Sequence, residues 1–141
     1  MKIFTVNLTK SQLRAQICDL AKKLGVNKII FNDKATKVNG TYNPKNKNMY
    51  LDLKLTKKVL LRTFFHELGH HKAVEQNKWK NYHHCLVSVM YADTVFYIEN
   101  KIDQIGEKLW YKYVDLTCWG RYKYSYPKAR KTYIIKNFIL N

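Results

Sequence analysis

The chain has 141 residues, enough for one domain with a sizeable core and short for two. Lys and Arg number 26 against 10 Asp and Glu, a formal charge of +16, and 46% of the residues are hydrophobic, a composition that excludes a disordered chain. Cys18, Cys85 and Cys118 stand far apart with no C-x-x-C spacing, which argues against a disulfide framework and fits a reducing compartment. The longest apolar stretch, Leu86–Ile98, is broken by Asp93 and too short to cross a bilayer. The first residues show neither an apolar signal core nor a small-residue cleavage site. The expectation is a soluble, cytoplasmic protein with no membrane partner. With only four glutamates, the charge reflects a shortage of acids as well as an excess of lysine. Such a field favours nucleic acid or acidic protein surfaces as neighbours and establishes neither.

The alternation over Ile3–Val6 is compatible with a short strand. Thr9 and Gln12 have capping-box spacing, and Leu13, Ile17, Leu20 and Leu24 follow at helical intervals up to Gly25, which predicts an amphipathic helix. Val26–Phe31 is β-branched and reads as a strand, and a second extended segment is expected around Lys37–Tyr42. Pro44–Asn48 is a turn, after which Met49, Leu51 and Leu53 alternate with polar residues, the pattern of an edge or near-edge strand. Thr56 is positioned to cap a helix from about Lys57 to Asn77. A loop near Trp79–Tyr82 then leads to a second long helix, whose seam is Tyr91, Val95, Ile98, Ile102, Ile105 and Leu109. This order predicts an α+β domain spanning residues 1–141, with a small, mostly antiparallel sheet packed on the two long helices.

The chemistry concentrates in His66-Glu67-Leu68-Gly69-His70, an H-E-x-x-H motif inside the helical pattern. Histidines at i and i+4 share a helix face and can bind one Zn²⁺ through imidazole nitrogens, while the intervening glutamate can reach a metal-bound water without coordinating. With five histidines and four glutamates, chance gives the motif in on the order of one such chain in 200. A catalytic zinc takes three protein ligands plus water. Glu99 is the candidate third ligand, on a stripe with Ala92, Phe96, Ile102 and Gly106 where a carboxylate is costly unless paired or metal-bound. Asp103, one turn on, is positioned to accept the free N–H of a ligating histidine and fix its tautomer. His83 and His84 compete for the third place, whereas His71 points about 100° away from His70 on the helix.

Gly40, Tyr42 and Pro44, then Met49–Leu53, then the run from Thr63 to His71 resemble the ImmA/IrrE-type zinc metallopeptidases, especially small phage and mobile-element members. The resemblance spans roughly residues 37–110. It implies a zincin-like fold and a gluzincin-like site in which a glutamate on the following helix, matched by Glu99, completes the zinc ligands. It also implies hydrolysis of peptide bonds in a protein or peptide substrate, in the host cytoplasm for a phage-encoded member. The SprT-like zinc peptidases, which act on DNA-associated proteins and use a downstream histidine, are the competing resemblance, with His83 or His84 as ligand. Met49–Leu53 is expected to line the cleft and pair with an extended substrate.

The segment from Cys118 onward is basic and interleaved with tyrosines, which suits either stacking on nucleic-acid bases or packing onto the preceding helices with lysines reaching outward. Two further classes stay open: a non-catalytic basic nucleic-acid-binding protein, and a structural zinc protein whose fourth ligand is His83 or His84.

Overall fold

The computed structural model describes residues 2–6, 8–32, 38–78 and 92–125, with the side chains of 92–94 excepted. Helix α1 (Lys10–Lys23) begins at Thr9, whose hydroxyl accepts the Gln12 N–H while the Gln12 side chain accepts the Thr9 N–H, a complete capping box. The chain leaves α1 through Gly25 at φ +93°, a conformation that favours glycine. Strand β1 (Lys28–Asn32) follows, then β2 (Gly40–Asn43) and β3 (Asn48–Asp52). The Asn43 side chain accepts the Lys45 N–H at 2.9 Å and so shapes the turn between β2 and β3. Helix α2 (Lys57–Glu75) is capped by Thr56, and α3 (Ala92–Tyr113) packs along it. A single turn, α4 (Leu116–Trp119), closes the described elements. The segment around Ile3–Val6 makes one parallel bridge, Phe4 to Val114, in place of a strand.

The α+β class matches the expectation, but the sheet differs in one respect. It is mixed, with order β1-β3-β2: β3 runs antiparallel to β2 and parallel to β1. Of the two alternatives for Met49–Leu53, edge or near-edge, the structure has the second: β3 is the central strand, paired on both sides and next to each edge. Alternation does not choose between them. Met49 and Leu51 are fully buried while Tyr50 faces the other way, and that pattern marks one covered sheet face, not the number of neighbouring strands. Among the described residues β2 and β1 are the edges.

The core lies between the sheet, α1 and α2. Leu13, Ile17 and Leu20 of α1 meet Leu60, Leu61, Phe64, Phe65 and Leu68 of α2, with Met49 and Leu51 from the sheet. Each such side chain contributes about 1.5–3 kcal/mol of burial. Phe4, Phe64, Phe65 and Trp110 pack edge to face with centroids 5.2–6.3 Å apart. No helix among the described residues is long and apolar enough to cross a membrane.

Two glycines set the spacing of α2 and α3. A Cβ at Gly69 would lie 2.6 Å from the Ile102 carbonyl oxygen, and one at Gly106 would lie 2.7 Å from that of Phe65. The helices therefore touch backbone to backbone at two points one turn apart. Gly69→Ala tests this. Alanine is the better helix former by about 1 kcal/mol, so a loss of stability must come from packing. Urea unfolding should show a loss of roughly 1–3 kcal/mol; a variant as stable as the parent would contradict the close approach.

Candidate metal centre

The face of α2 between those two contacts carries the H-E-x-x-H residues, and the facing turn of α3 carries Glu99 and Asp103. Helical spacing stacks His66 above His70, with ring centroids 5.1 Å apart. One carboxylate oxygen, Glu99 Oε2, lies 3.0 Å from both His66 Nε2 and His70 Nε2. His66 Nδ1 lies 2.8 Å from Asp103 Oδ1. His66, Glu67 and His70 also bring one donor atom each within 4.8 Å of one another. Glu67, Glu99 and Asp103 are all buried, at 6%, 2% and 0% exposure, where unpaired carboxylates are costly.

These neighbours shift each other's protonation. Burial works against a charged His66, yet hydrogen bonds to Asp103 and Glu99 and the charge of Glu99 push it up to about 10. Burial alone would raise Glu99, but the His70 charge and hydrogen bonds from both imidazoles hold it well below the usual carboxylate range. Glu67 goes the other way, raised by burial against the pull of His70 and His66. Surroundings that favour a proton on His66 also favour a cation among the same atoms.

The donor set fits zinc. Two ligands at the tetrahedral angle, each about 2.05 Å from zinc, stand about 3.3 Å apart, and both nitrogen–oxygen separations are within a few tenths of that. His66, His70, Glu99, Glu67 and Asp103 are thus brought to one place. The proposed stripe through Phe96 is a correction: Phe96 is 41% exposed, whereas Ile102 and Gly106 face α2. Phe96 sits about 120° round the helix from Ile102, at the rim of the buried face and not at its centre. His83, His84 and Cys85 lie outside the described residues, as do Trp79–Tyr82 and residues 126–141.

Three partners went unseen in the sequence. The Tyr122 hydroxyl donates to Asp103 Oδ1 at 2.5 Å, and the Ser125 N–H donates to Asp103 Oδ2 at 3.0 Å. The third is Tyr42, whose hydroxyl bonds His71 Nδ1 at 2.7 Å while His71 Nε2 bonds the Leu24 carbonyl at 2.8 Å. His71 is 2% exposed and ties β2, α2 and the end of α1 together, away from the other two histidines. The Gly-x-Tyr pattern at residues 40–42 was the available signal for this clamp: a Cβ at Gly40 would lie 2.8 Å from the Thr63 side chain, so glycine lets β2 settle onto α2. A shallow recess of about 10 Å³ borders His70, walled by Tyr42, Pro44, Ala73, Val74 and Ile102, with Lys78 among its lining residues.

The described aromatics between the last turn of α3 and residue 125, Tyr111 included, divide. Trp119 and Tyr122 pack inward, with the Trp119 indole N–H donating to the Thr5 carbonyl, while Tyr111 and Tyr124 are 39% and 37% exposed.

His71→Ala separates the clamp from the centre. It strands the Tyr42 hydroxyl and the Leu24 carbonyl, so urea unfolding should show a loss of roughly 1–3 kcal/mol. Zinc affinity by chelator competition should stay at the parental level, and its loss would make His71 part of the centre.

The chain matches no protein-family model, no curated protein and no solved structure in comparisons with each. Site geometry and sequence motif therefore carry the functional argument.

Proposed function

We propose that the chain is a zinc metallopeptidase of the ImmA/IrrE type with a zincin-like, gluzincin-like site: His66, His70 and Glu99 hold the metal, and Glu67 is the general base. The observation that carries this reading is Glu99 Oε2, equidistant at 3.0 Å from the two imidazole nitrogens of the H-E-x-x-H helix. Bound zinc supplies a Lewis acid for the scissile carbonyl and lowers the pKa of its water to about 7.

The protein's own groups do the rest. Asp103 accepts the Nδ1–H of His66 and so turns Nε2 toward Glu99 and His70. Glu67 takes the proton of the attacking water on its carboxylate and passes it to the leaving amine. Burial raising this carboxyl and two imidazoles lowering it suit a group that must both accept and release a proton. The substrate backbone pairs with an edge strand, and with β3 central that role moves to β2, whose Tyr42 lines the recess beside His70.

The test has a metal arm and an activity arm. Protein purified without added metal should carry about one zinc per chain, and His66→Ala or His70→Ala should lose it. Glu99→Ala should weaken zinc binding severely, while His83→Ala and His84→Ala leave it near the parental value; the reverse ranking would favour the SprT-like site. Glu67→Gln should retain zinc and lose most cleavage of an unstructured protein substrate, typically 10²–10⁴-fold for a lost general base. Undiminished cleavage by Glu67→Gln would refute the mechanism.

A further inference from the structure

The least expected feature around the centre is the segment following α4. Asp103 has no exposed surface, and both its oxygens are engaged. Oδ1 receives His66 Nδ1–H at 2.8 Å and the Tyr122 hydroxyl at 2.5 Å, and Oδ2 receives the Ser125 N–H at 3.0 Å. Two of these three donors come from four residues outside the two long helices.

The hydroxyl reaches Asp103 because a side chain is missing. A Cβ at Gly106 would lie 3.1 Å from the Tyr122 oxygen, so the glycine that lets α3 approach Phe65 also opens the path for the phenol. The ring itself is held on edge against Trp110 with centroids 5.8 Å apart, and the Trp110 indole N–H donates to the Gly120 carbonyl at 2.9 Å. Tyr122 is 6% exposed, so this hydroxyl is spent on the carboxylate and not on solvent. Tyr124, two residues on, bonds Glu107 instead.

We propose that Tyr122 is a positioning residue of the metal centre: entering through the gap at Gly106, and together with the Ser125 N–H, it fixes the Asp103 carboxylate that orients His66. The inference rests on the proposed reading of His66 as a zinc ligand. It makes the segment 120–125 part of the site, since without these two donors the Asp103 carboxylate is less firmly oriented, and the imidazole with it. Groups that orient a metal ligand in this way typically change metal affinity 10–100-fold when removed.

Tyr122→Phe keeps the ring and deletes the hydroxyl. Its urea midpoint should stay near that of the parent, while zinc affinity by competition with a chelating dye falls on the order of 10-fold or more. The imidazole N–H resonance of His66 should shift while that of His71 stays in place, a change that lost packing alone would not produce. Tyr124→Phe, which touches Glu107 and not Asp103, should bind zinc as the parent does. Should Tyr122→Phe fail to fold, Ser125→Pro removes the donor to Oδ2 and carries the same expectation. Parental zinc affinity together with an unmoved His66 resonance in Tyr122→Phe overturns the assignment and leaves the metal centre standing. A parent chain that binds no zinc overturns the metal reading itself, and this assignment with it.

Discussion

Glu99 and Asp103 sit almost wholly out of water between two helices, and the described structure is arranged around satisfying them. An ionised carboxylate in such a place costs several kcal/mol unless its oxygens are bonded. Here they are bonded to imidazoles, which are in turn held one helical turn apart by the backbone of α2. The bonds form only because α2 and α3 touch at Gly69 and Gly106. A wider spacing would pull both carboxylates away from the imidazoles. The apolar contacts of Phe64, Phe65 and Trp110 drive the helices together, and the glycines determine how close they come.

Helix α2 serves three neighbours through three faces. Leu60, Leu61, Phe64 and Leu68 belong to the core shared with α1 and the sheet, and His66 and His70 meet α3. His71, about 100° round from His70, reaches back to Tyr42 and Leu24. Two adjacent histidines thus have different work because the helical rotation separates them. The clamp also sets β2 beside the recess at His70, so the sheet edge and the candidate metal ligands keep a fixed relation.

Much of this was legible in the residues, and the failures have identifiable causes. Thr9 with Gln12 and Thr56 marked helix starts because capping is local chemistry within one turn. The histidine pair was legible because helical periodicity converts spacing into a shared face, whereas Glu99, on another helix, was suggested by the cost of a carboxylate beside an apolar seam and by the family resemblance. The place of β3 was not, since strand neighbours depend on long-range pairing that alternation does not encode. The exposure of Phe96 was not legible, because it lies at the rim of the buried face of α3, where periodicity does not decide between cover and solvent. Tyr122 was hidden among eleven tyrosines: nothing local distinguishes it, and only the gap at Gly106, sixteen positions earlier, gives it access to Asp103.

The most direct measurement is a crystal of zinc-loaded protein with diffraction recorded on either side of the zinc absorption edge. The account predicts one anomalous peak, bonded to His66 Nε2, His70 Nε2 and a Glu99 oxygen, with Glu67 close by and uncoordinated. A peak ligated by His83 or His84 in place of Glu99, or no peak between α2 and α3, would contradict it.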